Sequence, residues 1–155
     1  MSEIYNMPGH LIRRLNQISV SVFADRMSQE GYGFTPVQFA ALSMVAQRPG
    51  VDQATLAGLI AYDRATLGGV VDRLEAKGLV RRTVSDTDRR ARVLQLTKPG
   101  EDVLEKLRPV VADLQNRILT GLDDQERKHL VELLQKATVA GNELSRAPLL
   151  AVEPA

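Results

Sequence analysis

The chain has 155 residues with a net charge of +1, 44% hydrophobic and 25% charged, a balance that fits one globular domain able to bury a core. It contains no cysteine, which excludes a disulfide framework, a thiolate nucleophile, a thiol redox switch and a cysteine-zinc site. No apolar run approaches the roughly 18 residues of a membrane span, and MSEIYNMPGH lacks the basic-then-apolar layout of a signal peptide, so a soluble cytoplasmic protein is expected.

In chain order, a long helix is expected from Pro8 to about Glu30. Pro8 suits a first helical turn, and Leu11, Leu15, Ile18 and Val22 recur at spacings of four, three and four. Gly31-Tyr32-Gly33 ends it. Thr35-Pro36 then reads as N-cap and first-turn proline of a second helix, Pro36 to Gln47, stopped by Arg48-Pro49-Gly50. Asp52 caps a short helix, Gln53 to Ala61, and Asp63 caps another, Arg64 to Lys77, which Gly78 ends. On the latter, Leu67, Val70, Val71 and Leu74 form one stripe, with Arg73 near its flank. Two short helices across a tight turn are the helix-turn-helix pattern. Leu79–Val84 and Arg92–Leu96 are β-branched and leucine-rich, and Ser85–Ala91 between them is polar, so they read as a hairpin with a charged tip. Thr97 and Pro99 open a helix to about Leu119, on which Leu104, Leu107, Val111, Leu114 and Ile118 make a heptad-like seam. Asp123 starts a last helix, with Leu130, Leu133, Leu134, Ala137, Gly141 and Leu144 on one face. Residues 147–155 are expected to fray.

Charge is unevenly spread along these elements. Residues 64–100 hold nine Lys/Arg against four Asp/Glu, whereas 1–63 hold four against five and 101–155 seven against ten. A basic block in a mildly acidic frame is the footprint of a polyanion-binding face; a merely solvated surface would scatter the signs. A helix-turn-helix followed by a hairpin is a winged helix-turn-helix, whose second helix enters the DNA major groove with its N-terminal residues towards the base edges. Those residues are Arg64, Ala65 and Thr66, with Gly68 and Gly69 one turn along. Arginine reads guanine, and an alanine or threonine methyl meets the thymine methyl. Two glycines inside a helix cost roughly 1 kcal/mol each relative to alanine. Either the bare backbone approaches DNA closely, or it packs against a neighbouring helix; both readings stand. Arg73 and the wing residues Arg89, Arg90 and Arg92 complete the expected DNA-binding set, with Arg89 and Arg90 reaching the minor groove. Asp86 and Asp88 are poor DNA ligands and are expected to orient guanidinium groups, Asp88 that of Arg73 or of a wing arginine. All six aromatics precede Arg64, which disfavours single-stranded nucleic acid because the basic block lacks stacking platforms.

LGGVVDRLEAKGLVRRTVSDTDRRARVLQLTK, residues 67–98, resembles the signature of the MarR (multiple antibiotic resistance regulator) family. The matching pieces are DRLEAKGLV at 72–80, DRR at 88–90 and the LTKPG boundary at 96–100. Order and length agree too, with one long helix before the winged module and two after it. The resemblance implies a mainly α fold with a small β-hairpin wing, forming a homodimer through its N- and C-terminal helices. Such proteins bind palindromic operators, usually as repressors, and a small molecule, often an aromatic carboxylate, releases them. The corresponding division is 1–34 and 99–147 for dimerisation, 35–98 for DNA and 148–155 as a flexible tail. The seam at 104–118 and the stripe at 130–144 support a dimer independently, since together they exceed what a monomer of this size easily covers. Aromatic-acid catabolism or efflux is the regulated process that the resemblance implies.

In that family the effector lies between the dimerisation helices and the winged module. The first helix here places His10, Arg13, Arg14 and Gln17 within one or two turns of each other, beside Ile12 and Phe23. Arg13 or Arg14 can pair with a carboxylate, and His10 can add a pH-dependent hydrogen bond. Alternatively this polar face meets solvent or the partner subunit. Catalysis, cofactors and metals are not expected: His10 and His129 belong to no ligand cluster, Asp123-Asp124 suits a helix N-terminus, and no Gly-rich phosphate loop or nucleophile elbow appears. The absence of cysteine also excludes the thiol-based peroxide sensing of one branch of the family. Two rivals remain: an effector-independent DNA-binding regulator or architectural protein, and a helical scaffold for a protein partner.

Overall fold

The computed structural model of the chain describes residues 3–150. Helix α1 (Pro8–Gln29) runs to a stop at Gly31, which takes a φ of 80°, a conformation open to glycine at little cost. Helix α2 (Pro36–Gln47) starts in a reciprocal capping box between Thr35 and Gln38. Strand β1 (Val51–Asp52) leads directly into α3 (Gln53–Leu59), and α4 (Arg64–Ala76) follows after a tight turn. Strands β2 (Val80–Val84) and β3 (Arg92–Leu96) form the hairpin, and α5 (Lys98–Ile118) and α6 (Asp124–Ala140) complete the chain. The sheet is antiparallel with order β1-β3-β2, Val51 opposite Leu94 and Val80 opposite Leu96. The mainly helical winged helix-turn-helix expected from the sequence is the fold observed.

Side chains of α2, α3, α4, β3 and α5 fill one core, in which Leu42, Leu56, Leu67, Leu74, Leu94 and Leu107 are sealed from solvent. Phe23 and Met27 bring the C-terminal half of α1 into it, where α1 packs along α5. The junction between β3 and α5 is tied tightly. Thr97 accepts the Gly100 N–H at 3.1 Å and donates its hydroxyl to the Gly78 carbonyl at 2.5 Å. A Cβ on Gly100 would collide with the Leu79 carbonyl, so the glycine of LTKPG is required where the helix crosses the end of α4.

Four expectations are corrected. Strand β1 was not foreseen, because two residues carry no alternation to read. The seam of α5 is not a free surface: Leu104, Leu107 and Leu114 are buried within the chain. The last helix ends at Ala140 with Gly141 as its cap, and Leu144 sits in a 3-10 turn, so the expected stripe is cut short. Residues 149–150, placed in the frayed segment, are hydrogen bonded, Leu150 donating its N–H to the Gly58 carbonyl at 2.7 Å; residues 151–155 lie outside the described range.

By contrast, no residue of α6 is buried, and Val131, Leu133, Leu134 and Val139 are exposed on it. Leu11, Ile12, Ile18 and Val20 are likewise exposed on α1. Among the described residues no helix is long and apolar enough to cross a membrane.

Candidate nucleic-acid interface

The reading head is set by two N-caps and one turn. Asp52 accepts from the Thr55 N–H at 2.8 Å and from its hydroxyl at 2.6 Å, opening α3. Burial pushes the Asp52 carboxyl up, but the hydrogen bonds from Thr55 and from the backbone N–H groups outweigh it and hold the pKa below the usual aspartate value. Asp63 accepts from the Thr66 N–H at 3.1 Å, opening α4. Between them Ala61 takes a φ of 50°, which ends α3 two residues earlier than its apolar pattern suggested.

Burial of Leu67, Val70, Val71 and Leu74 fixes the rotation of α4. Arg64, Ala65, Thr66, Gly69 and Arg73 are thereby turned to solvent, with Gly68 half-buried. A Cβ on Gly69 would meet nothing within 4 Å, and one on Gly68 only the Gln53 amide at 3.6 Å. Helix packing therefore does not explain the glycine pair; alanine would fit at either position.

The wing is closed by its own polar groups. Ser85 donates its N–H to the Ala91 carbonyl at 3.1 Å, and Asp88 accepts the Arg90 N–H at 2.9 Å. Arg92 donates to the Arg89 carbonyl at 3.2 Å, holding its side chain against the tip. The expected pairing of Asp88 with Arg73 or a wing guanidinium does not form: its carboxylate is used on the Arg90 backbone, a local turn that needs no long reach. Asp86 is exposed and makes no hydrogen bond or ion pair among the described residues. Between the wing and the helix-turn-helix lies a cleft of about 700 Å³ that gathers Arg64, Arg90 and Arg92, with Asp52, Gln53 and Asp88 on the same lining. Arg73 and Arg89 are exposed but do not line it.

The guanidinium that receives the acidic help is Arg82, to which sequence reasoning assigned no role. It donates to Asp72 at 2.5 Å, to Glu75 at 3.3 Å and to the Gln53 carboxamide at 3.2 Å. Asp72 above all, with Glu75 beside it, outweighs the opposing effect of burial and holds it more firmly protonated than an ordinary arginine. Arg82 thus braces β2 against α3 and α4. The signal lay in DRLE itself, where two carboxylates one turn apart need a partner facing them. Three other cations of the basic block also have partners within the chain: Lys77 sits 4.6 Å over the Phe34 ring, Arg81 donates to the Gln95 carboxamide at 2.9 Å, and Lys98 pairs with Asp102 at 2.9 Å.

The residues expected around an effector separate into two places. His10 Nδ1 accepts from Arg13 at 3.3 Å, and the His10 ring meets Tyr5 edge-on at 5.7 Å. Ile12, Arg14 and Gln17 on the same helix are exposed. Phe23, in contrast, is buried against Phe39, with ring centroids 6.3 Å apart. Thirteen positions of helix separate it from His10, about 20 Å at the usual rise, so the two cannot hold one small molecule within a single chain.

Comparison with known proteins gives the same architecture. The MarR family model matches residues 32–91, the whole helix-turn-helix and most of the wing. A putative transcriptional regulatory protein for the hcr operon of Thauera aromatica is 33% identical over 133 residues, covering 84% of this chain and 80% of that protein. The structure of BpsR from Bordetella bronchiseptica, whose DNA binding is regulated by 6-hydroxynicotinic acid, is 28% identical with a TM-score of 0.81, over 89% of this chain and 97% of that one. The transcriptional repressor CouR, solved on a 23-mer DNA duplex, is 28% identical with a TM-score of 0.77, over 90% and 96% of the two chains. A winged module between long flanking helices, matched in sequence and in shape, has one reading: the chain belongs to the MarR family of transcriptional regulators.

Proposed function

We propose that this regulator is a homodimeric repressor that grips duplex DNA with α4 and the wing and releases it on binding a small aromatic carboxylate. The observation that carries the DNA half is the single cleft that gathers Arg64, Arg90 and Arg92 beside the exposed start of α4. In this reading Arg64 and the Thr66 methyl face base edges, Ala65 and Gly68 let the backbone come close, and Arg73, Arg89, Arg90 and Arg92 take phosphates or the minor groove. Asp88 shapes the wing tip, and Asp86 stands beside it. Residues 35–98 form the reading head, while 1–34 and the helices within 99–147 join two copies in the cytoplasm. The uncovered apolar side chains of α1 and α6 support that pairing.

Arg90→Ala tests the DNA half. Its expected effect is a slope of log affinity against log salt that is smaller in magnitude by about one, with the dimer intact. An unchanged slope removes the wing from the account, and a flat salt response of the parent protein leaves the scaffold reading in place.

The ligand half rests on BpsR and on the pairing of His10 and Arg13 at 3.3 Å, which presents a guanidinium without a carboxylate partner among the described residues. Small aromatic acids should raise the melting temperature, because a ligand of the folded dimer stabilises it by mass action. No shift with any of them favours an effector-independent regulator.

A further inference from the structure

Past α6 the chain turns back towards the reading head. Gly141 ends the helix, the turn Asn142–Leu144 follows, and residues 145–150 reach α3. The Asn142 carboxamide clasps Leu149 twice, accepting its N–H at 2.8 Å and donating to its carbonyl at 3.0 Å. Leu150 donates its N–H to the Gly58 carbonyl at 2.7 Å. Its side chain lies over Gly58, where an added Cβ would come within 3.1 Å of the leucine Cβ. A glycine in α3 therefore makes the seat on which this segment rests.

Docked in this way, the segment walls a second cleft, of about 530 Å³, lined among others by Tyr62, Asp63, Arg64, Asn142 and Arg146. Arg64 lines this cleft and also the one under the wing. Arg146 is exposed and has no carboxylate within 4 Å among the described residues. Of the two acids in the cleft, Asp63 is engaged as the cap of α4, and Glu143 is exposed.

We propose that residues 142–150 form a second DNA-contacting arm, with Arg146 as a phosphate contact on the flank of Arg64 that the wing does not cover. The inference rests on the DNA-binding reading above. A helix in a major groove about 12 Å wide lies between two rows of phosphates. The wing can address one row; Arg146 is the cation placed to address the other. Guanidinium suits a phosphate because its planar fork matches two oxygens at once. The Asn142 clasp and the Gly58 seat order the backbone beforehand, so less freedom is lost when DNA arrives.

The test measures affinity across a salt series for a duplex selected by the wild-type protein from a random-sequence pool. Arg146→Ala should weaken binding roughly severalfold near 0.1 M salt and lower the slope by about one, with an unchanged melting temperature. Arg146→Lys should keep the slope, since it keeps the charge. Asn142→Ala should reproduce much of the loss by releasing the arm, and Glu143→Gln should tighten binding by removing a like charge from the phosphate path. A wild-type slope for Arg146→Ala, alongside a reduced slope for Arg90→Ala, overturns the arm and leaves the DNA reading standing. An Asn142→Ala protein that binds like wild type overturns the docked geometry. A parent protein with no salt dependence overturns the DNA reading itself.

Discussion

At Gly69, helix stability and the proposed close approach to DNA make opposite demands. The residue sits inside α4, a Cβ there would touch nothing, and alanine is the better helix former by about 0.8–1 kcal/mol. Gly69→Ala is therefore expected to stabilise the protein by roughly 0.5–1 kcal/mol in urea titration, while weakening DNA binding by crowding the exposed face of the reading helix. Stabilisation with unimpaired DNA affinity would show that close backbone approach is not the reason for the glycine. Arg82 is the converse case, a cation of the basic block directed inward. Its contacts with Asp72, Glu75 and Gln53 set the wing against α4 and leave the outward arginines to solvent.

Among the elements, α3 and α4 are short, and caps have a large share in defining them. The α3 helix spans only Gln53–Leu59, and Asp52 accepts two hydrogen bonds from Thr55 at its start. Because those bonds hold the folded pKa below the unfolded one, Asp52 stabilises the fold above the usual aspartate range. That stabilisation is lost as pH falls through the folded value. Asp52→Ala should cost about 1 kcal/mol at pH 7 by chemical denaturation, and the gap from wild type should narrow below about pH 4. A gap that stays constant into acid would mean that the carboxylate charge does not matter at this cap.

For the whole molecule, the question is what covers α6. Every residue of the helix lies outside the core, although Val131, Leu133 and Leu134 are 43%, 48% and 39% exposed and apolar. A second copy would bury this face together with the uncovered N-terminal half of α1. Leu133→Glu with Leu134→Glu is expected to give a monomer by light scattering, with operator affinity reduced at least tenfold, since two linked reading heads bind far better than one. A double variant that remains dimeric would place the interface elsewhere.

Local chemistry made much of this protein legible before any coordinates. Capping residues, proline positions and apolar spacing located the six α-helices of the described residues and the hairpin, because those signals act over a few residues. The start of α4 and the outward face with Arg64, Thr66 and Gly69 followed from the same stripe that buries Leu67 and Leu74. Tertiary structure decided the rest. The seam of α5 and the stripe of α6 carry similar periodicity, yet only α5 is covered, because periodicity says that a face is apolar and not what packs on it. Nine cations in one block look equivalent in sequence, whereas packing turned Arg82 inward and gathered Arg64, Arg90 and Arg92 in one cleft. The grouping of His10 with Phe23 failed for a related reason: both lie on one helix, but depth in the core is set by the elements that helix meets.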